Sequence, residues 1–102
     1  MTKITQTKRF TKNFSSLLEG MLEKSPPFAL NLLDTFDQII ASIIRFPEIG
    51  VPRIRNWYGK NITLRDVEVF VRQRQFIVRY HYKKSLNQIV LIHIWIDGQN
   101  HN

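Results

Sequence analysis

The second half of this 102-residue sequence contains three consecutive runs in which residues alternate between two sets. The runs cover residues 64–73, 76–83 and 88–96, and alternation with a period of two predicts strands with two distinct faces. The two links, Arg74-Gln75 and Ser85-Leu86-Asn87, have the length of hairpin loops. These residues therefore predict a three-stranded antiparallel meander.

Each predicted strand has one set of residues that suits a core and one that suits solvent. We expect the core face to carry Val67, Val78, Tyr80, Val90, Ile92 and Ile94. We expect the open face to carry Arg79, His81, His93 and Trp95. Burial of one such apolar side chain contributes about 1.5 to 3 kcal/mol, and a slip of one residue would turn the whole set to water. The face assignment should therefore be strongly specified.

The first half predicts one strand and two helices. Residues 3–10 alternate like a strand, and Thr11 can cap a helix that runs to about Lys24. Ser25-Pro26-Pro27 ends this helix and starts a second one, over residues 27–45. Residues 48–63 have no sustained period and predict a loop.

These elements predict a single α+β domain over residues 1–102. It consists of an N-terminal strand, a helical hairpin and the meander, with the helices packed on one face of the sheet. The chain has no Cys, which excludes thiol catalysis, thiolate metal sites and disulfides. The N-terminus has no apolar core of a signal peptide, and Asp34, Asp37 and Arg45 interrupt the longest apolar runs. We expect a cytoplasmic protein without a membrane partner.

Charge gives the first indication of a partner. The net charge is +7, and residues 51–102 hold 9 basic against 3 acidic side chains. This excess favours a polyanionic or acidic partner. Phosphate-binding loops and nucleophile motifs are missing, and a cross-strand pair of His81 and His93 is weak support for a metal site. We expect neither a cofactor nor a metal.

Four segments, in order, resemble the RelE/ParE superfamily of toxins from bacterial type II toxin-antitoxin modules. They are the turn after the second helix, the start of the next strand, the middle strand and the closing segment: residues 46–53, 64–65, 76–82 and 89–100. The resemblance implies a toxin that inhibits growth and is neutralised by a cognate antitoxin. Such modules stabilise plasmids.

The resemblance also separates two branches of the superfamily. In members that cleave mRNA on the ribosome, basic side chains occupy positions that correspond here to Val69, Val71, Ile77 and Gly98. All four are uncharged, which favours the ParE-like branch. ParE-like members are described as inhibitors of DNA gyrase without nuclease chemistry, so the resemblance leans against an enzyme and implies no catalytic residue.

Two alternatives stay open. One is a RelE-like ribosome-dependent mRNA endoribonuclease that uses Arg65, Arg79, His81 and His93 in substitute positions. The other is a non-catalytic nucleic-acid-binding domain, which the basic second half would allow. The candidate contacts for an antitoxin or a target are Arg65, Arg72, Arg79, His81, His93 and Trp95.

Overall fold

A computed structural model of the chain describes residues 2–97, and for Trp57 it describes the backbone. The elements follow the order β1 Lys3–Gln6, α1 Lys8–Lys24, α2 Pro26–Arg45, β2 Val51–Trp57, β3 Lys60–Val71, β4 Arg74–Lys83 and β5 Gln88–Ile96. A short 3-10 turn, Lys84–Leu86, joins β4 to β5. Within residues 2–97, no helix is long and apolar enough to cross a membrane.

The five strands form one sheet in the order β1-β5-β4-β3-β2. The neighbours from β2 to β5 are antiparallel, whereas β1 lies parallel to β5 at the edge. Both helices pack on one side of this sheet, which we call the near face, and the other side is the far face. The predicted α+β class and the meander are confirmed.

The core lies between the helices and the near face. Phe10, Leu32 and Ile43 from the helices pack against buried residues of the three meander strands. The strand residues are Val69, Val71, Phe76, Val78, Tyr80, Ile89, Leu91 and Ile94. Burial of Val78 and Tyr80 confirms the predicted core face of β4.

The start of α1 differs from the prediction, because Thr7 caps the helix instead of Thr11. The Thr7 side chain accepts a hydrogen bond from the backbone N–H of Phe10, which satisfies one donor of the first turn. The first strand consequently ends at Gln6. Helix α2 has Pro26 in its first turn, where a missing N–H has no cost.

The predicted face of β5 is wrong in its first half, because the strand contains a β-bulge. Tyr80 pairs with Leu91 and Arg79 with His93, so Ile92 is an extra residue without an opposite partner. The bulge shifts the alternation by one residue. Ile89 and Leu91 therefore face the core, while the predicted core residues Val90 and Ile92 are only half-buried. Beyond the bulge, Ile94 is buried as predicted.

The predicted loop over residues 48–63 is also wrong, because much of it is strand. Val51–Trp57 pairs with β3, and Tyr58-Gly59 forms the turn, with φ of 52° and 80°. Two consecutive positive φ angles are typical of a type I′ hairpin turn. All described side chains of β2 are exposed, so this strand carries no apolar alternation that could have revealed it.

The next hairpin turns earlier than predicted. Val71 pairs with Arg74, so the loop is Arg72-Gln73 and not Arg74-Gln75. Arg72 adopts φ 58°, a left-handed conformation that is uncommon for a residue other than glycine. Because the sequence has no glycine here, the residues of this turn give little indication of where it lies.

Candidate functional site

A row of polar and aromatic side chains crosses the far face of the sheet. Asp66 pairs with Arg79 across β3 and β4, and Arg79 pairs with His93 across β4 and β5. Paired residues of antiparallel strands point to the same face. With Trp95, two residues beyond His93, and Arg53 on β2, these side chains form what we call the far-face cluster.

The centre of the cluster is a bidentate ion pair. Arg79 donates from Nε to Oδ1 of Asp66 at 2.7 Å and from Nη2 to Oδ2 at 2.9 Å. The exposed fractions of the two side chains are 14% and 11%, so the pair is largely shielded from water. Arg53 approaches the same carboxylate at 3.7 Å, with its own side chain 52% exposed. Charge-assisted bidentate pairs of this geometry are among the stronger hydrogen bonds in proteins.

The guanidinium group of Arg79 also lies over an aromatic ring. Its Cζ atom is 4.9 Å from the ring centroid of Trp95, a cation–π distance. Trp95 in turn stacks on His93, with ring centroids 4.8 Å apart. Trp95 is 3% exposed and His93 7%, so this part of the far face is buried, contrary to the open face that the sequence predicts.

The imidazole ring of His93 is held by the first turns of α1, which follow the edge strand β1 and lie beside β5, so that they reach this far-face residue at the sheet edge. Its Nδ1 contacts Oδ1 of Asn13 at 2.5 Å, and its Nε2 lies 3.4 Å from Nη2 of Arg9. The amide oxygen can only accept and the guanidinium can only donate, so these contacts fit the neutral tautomer with the proton on Nδ1. Both ring nitrogens are thus engaged, which is typical of a positioning contact between helix and sheet.

His81 lies on the same face, two residues beyond Arg79 along β4. Burial lowers its pKa from the usual 6.5, and the charge of Lys83 lowers it further, so the ring is neutral at pH 7. His81 pairs with Val90 and not with His93, so the two rings are not opposite each other. Among the described residues, no three His, Asp or Glu side chains come together as metal ligands.

Arg65 is a predicted site residue that lies elsewhere, on the near face. It pairs with Tyr80, and its Nη1 donates to the backbone carbonyls of Glu48 at 3.0 Å and Gly50 at 2.8 Å. The guanidinium group therefore holds the turn after α2.

Tyr80 also stabilises the turn after α2. Its hydroxyl donates to the carbonyl of Pro47 at 2.7 Å and accepts from the N–H of Gly50 at 3.0 Å. A Cβ atom on Gly50 would lie 2.8 Å from Cβ of Arg65, so glycine is required by close packing. Burial raises the pKa of Tyr80 above its usual 10.0, and the Gly50 hydrogen bond and Arg65 oppose this rise.

Arg72 is likewise separate from the far-face cluster. It occupies the β3–β4 turn, and its guanidinium carbon lies 5.7 Å from the ring centroid of Phe28 on α2. The structure therefore brings together Arg79, His93 and Trp95, places His81 nearby, and leaves Arg65 and Arg72 on the helix side. Sequence reasoning missed the partners of the cluster, Asp66, Arg53, Asn13 and Arg9.

The sequence resemblance aligned four uncharged residues with basic positions of mRNA-cleaving toxins, and three of them lie within the described residues. Val69 and Val71 are buried against the helices, with 3% and 2% exposure. Ile77 is half-buried on the far face, opposite Trp95 and Glu68. Gly98 lies outside the described residues. Because Arg79 is already bound to Asp66 and Trp95, the far-face cluster is a paired network and not an array of free cations.

Comparison with known proteins gives a match in fold. A crystal structure of a metal-bound toxin from Helicobacter pylori superposes with a TM-score of 0.60 over 95% of this chain and 96% of that chain, at 16% sequence identity. No protein-family model and no curated protein matches the sequence. The chain therefore shares its fold with a bacterial toxin.

Proposed function

We propose that the chain is a ParE-like toxin of a type II toxin-antitoxin module, acting in the cytoplasm by binding DNA gyrase. The fold shared with a bacterial toxin supports the toxin role. The observation that carries a binding mechanism, as opposed to RNA cleavage, is the bidentate pairing of Arg79 with Asp66. Such modules stabilise plasmids, and growth inhibition is the expected effect of the free toxin.

The pairing matters because metal-free cleavage of a phosphodiester needs cations that are free to stabilise the transition state. Loss of one such donor costs about 2.7 to 4 kcal/mol when it acts like an oxyanion-hole group. Nε and Nη2 of Arg79 are committed to Asp66, and the carboxylate offsets the charge of the guanidinium, so Arg79 has less positive charge to offer a phosphate than an unpaired arginine. Val69 and Val71, buried in the core, cannot supply replacements.

Neutralisation by a cognate antitoxin is the second part of the proposal. A net charge of +7 suits an acidic segment that wraps the toxin. Of the predicted contacts for the antitoxin or the target, Arg65, Arg72, Arg79 and His81 keep an accessible part and are the proposed ones, whereas His93 and Trp95 are buried and support Arg79 from within the cluster. Arg72 is the exposed member, so charge reversal there should weaken an antitoxin complex first. Binding to the product of the neighbouring open reading frame can be measured by co-purification and by calorimetry.

One induction experiment tests the mechanism. The chain is expressed from a controlled promoter, and plasmid supercoiling and DNA-damage signalling are compared with the integrity of translated mRNA. We expect altered supercoiling and damage signalling before any loss of mRNA. Purified gyrase with the purified chain should then give inhibited supercoiling or cleaved DNA.

The ribosome-dependent nuclease is the outcome that would reverse the proposal. It predicts rapid cleavage of translated mRNA that is abolished by Arg79→Ala or His81→Ala. The matched control is Arg74→Ala, a change at an exposed position of the same strand. Growth without inhibition, together with no binding to the neighbouring gene product, would contradict the toxin role itself.

A further inference from the structure

The β2–β3 hairpin extends beyond the rest of the sheet. Its pairing continues from Val51–Asp66 to Trp57–Lys60, whereas β3 pairs with β4 only from Arg65 to Val71. Residues 60–64 of β3 therefore pair with β2 alone; because Leu64 is buried, the projecting part is residues 60–63, roughly 14 Å at about 3.4 Å per residue. The hairpin forms a two-stranded ribbon.

The projecting ribbon is basic on one face. The register places Arg53 opposite Leu64, Arg55 opposite Ile62 and Trp57 opposite Lys60, so Arg53, Arg55 and Lys60 belong to the same face. Arg55 and Lys60 are exposed, and the Arg53 side chain is 52% exposed. Residues 49–65 contain no Asp or Glu. Arg53, at the base of the ribbon, also approaches Asp66, so the outer part of this face presents Arg55 and Lys60 to solvent without a nearby acidic residue in the sequence.

The tip of the ribbon carries an exposed aromatic residue. Tyr58 is 91% exposed and adopts φ 52°, a conformation that an aromatic side chain rarely takes. The next residue, Gly59, has φ 80°, and its N–H donates to Oδ1 of Asn56 at 3.2 Å, which fixes the turn. The ribbon therefore ends in a fixed turn that exposes one aromatic side chain to solvent.

We propose that this basic hairpin binds duplex DNA, inserting into the major groove with its cations on the phosphates. Two antiparallel strands fit a groove about 12 Å wide, and β-ribbons are an established way to enter it. The major groove of A-form RNA is deep and narrow, so the same ribbon fits it poorly. DNA binding by the hairpin is separate from the proposed binding of gyrase and does not depend on it.

The test uses the full chain, a fluorescent 20-base-pair DNA duplex and a double substitution, Arg55→Gln with Lys60→Gln. Loss of two phosphate contacts should make the slope of log affinity against log salt shallower by about 1.8, and should lower the affinity at 0.1 M salt by about 60-fold. The matched control, Lys8→Gln with Lys12→Gln, removes the same charge from exposed positions of α1 and should change affinity less than about threefold. Circular dichroism verifies that both variants fold.

Three results would overturn the proposal. Equal losses in the hairpin and helix variants would show that net charge alone acts. Equal or tighter binding of an RNA duplex of the same sequence would contradict insertion into a B-form groove. If poly-glutamate binding depended on Arg55 and Lys60 while DNA binding did not, the hairpin would be a site for an acidic protein surface.

Discussion

Replacement of Tyr80 by Phe should destabilise the protein through the turn after α2 and not through the core. The ring is 0% exposed and Phe keeps its shape, so the substitution leaves almost no cavity. What is lost is the hydroxyl between the Pro47 carbonyl and the Gly50 N–H. Gly50 is buried, so its N–H is left without a partner at about 1 to 3 kcal/mol, and the Pro47 bond adds about 1.

We therefore expect Tyr80→Phe to lower the free energy of unfolding by about 2 to 4 kcal/mol. In a domain of this size that lowers Tm by about 9 to 19 °C. Urea unfolding followed by circular dichroism measures the change. The control is Tyr82→Phe in the same strand, because the Tyr82 hydroxyl makes no hydrogen bond seen in the described part of the chain. This substitution should change the free energy of unfolding by less than about 0.5 kcal/mol. Equal effects of the two substitutions would refute the assignment of the hydroxyl as the support of the turn.

The Tyr80 hydroxyl also gives a pH dependence with a definite sign. Because its pKa in the folded protein is raised above the usual 10.0, folding favours the neutral phenol. This contribution is present below pH 10 and is lost as the pH rises above it. The stabilities of the wild type and Tyr80→Phe should thus converge above pH 10, whereas a constant difference would show that the phenol titrates normally.

Three further perturbations test other parts of the structure. Gly50→Ala should lower the free energy of unfolding by about 1 to 3 kcal/mol through overpacking. Gly20→Ala, where an added Cβ meets nothing within 4 Å, should stabilise α1 by about 0.5 to 1 kcal/mol. Thermal unfolding of both variants measures the two changes. Asp66→Asn should lower the free energy of unfolding by about 2 to 3 kcal/mol, because it leaves the shielded guanidinium of Arg79 without a carboxylate partner. The control Glu68→Gln, at an exposed position, should cost less than about 0.5 kcal/mol. Equal midpoints of urea unfolding for the two variants would contradict this prediction. The pKa of His81 is lowered, so its neutral ring contributes stability above pH 6.5 that is lost as the pH falls. The difference in unfolding free energy between the wild type and His81→Gln should therefore shrink from pH 7.5 to pH 5. A difference that grows over this range would contradict the direction of the pKa shift.

The elements with one clear apolar face were predictable from the sequence. Both helices and the two faces of β4 follow from residues that recur with the helical or strand period, such as Leu32 and Val78. Strand β5 could not be assigned in the same way, because apolar residues occupy both of its faces, and the bulge at Ile92 selects which set is buried. Strand β2 was not predicted, because its described side chains are all exposed and its sequence therefore has no apolar alternation.

The candidate site was predictable only where it depended on local alternation. Arg79, His93 and Trp95 were assigned to one face, and the structure brings them together. The contact of Asp66 with Arg79 was not predicted, because it depends on a turn at Arg72-Gln73, two residues before the predicted turn. Contacts between α1 and β5 join residues far apart in sequence, so no local pattern could reveal them.

The parallel pairing of β1 with β5 has a consequence for how the chain is made. Lys3 pairs with Gln88 and Thr7 binds the carbonyl of Ile92, a separation of 85 residues along the chain. A ribosome that adds about 5 to 20 residues per second needs roughly 4 to 17 s to synthesise that separation. By the end of this interval the first strand has left the ribosome without its partner, and α1 still lacks the β5 surface against which it packs. Pairing at such separation also slows folding, so the sheet is completed late in synthesis or after it.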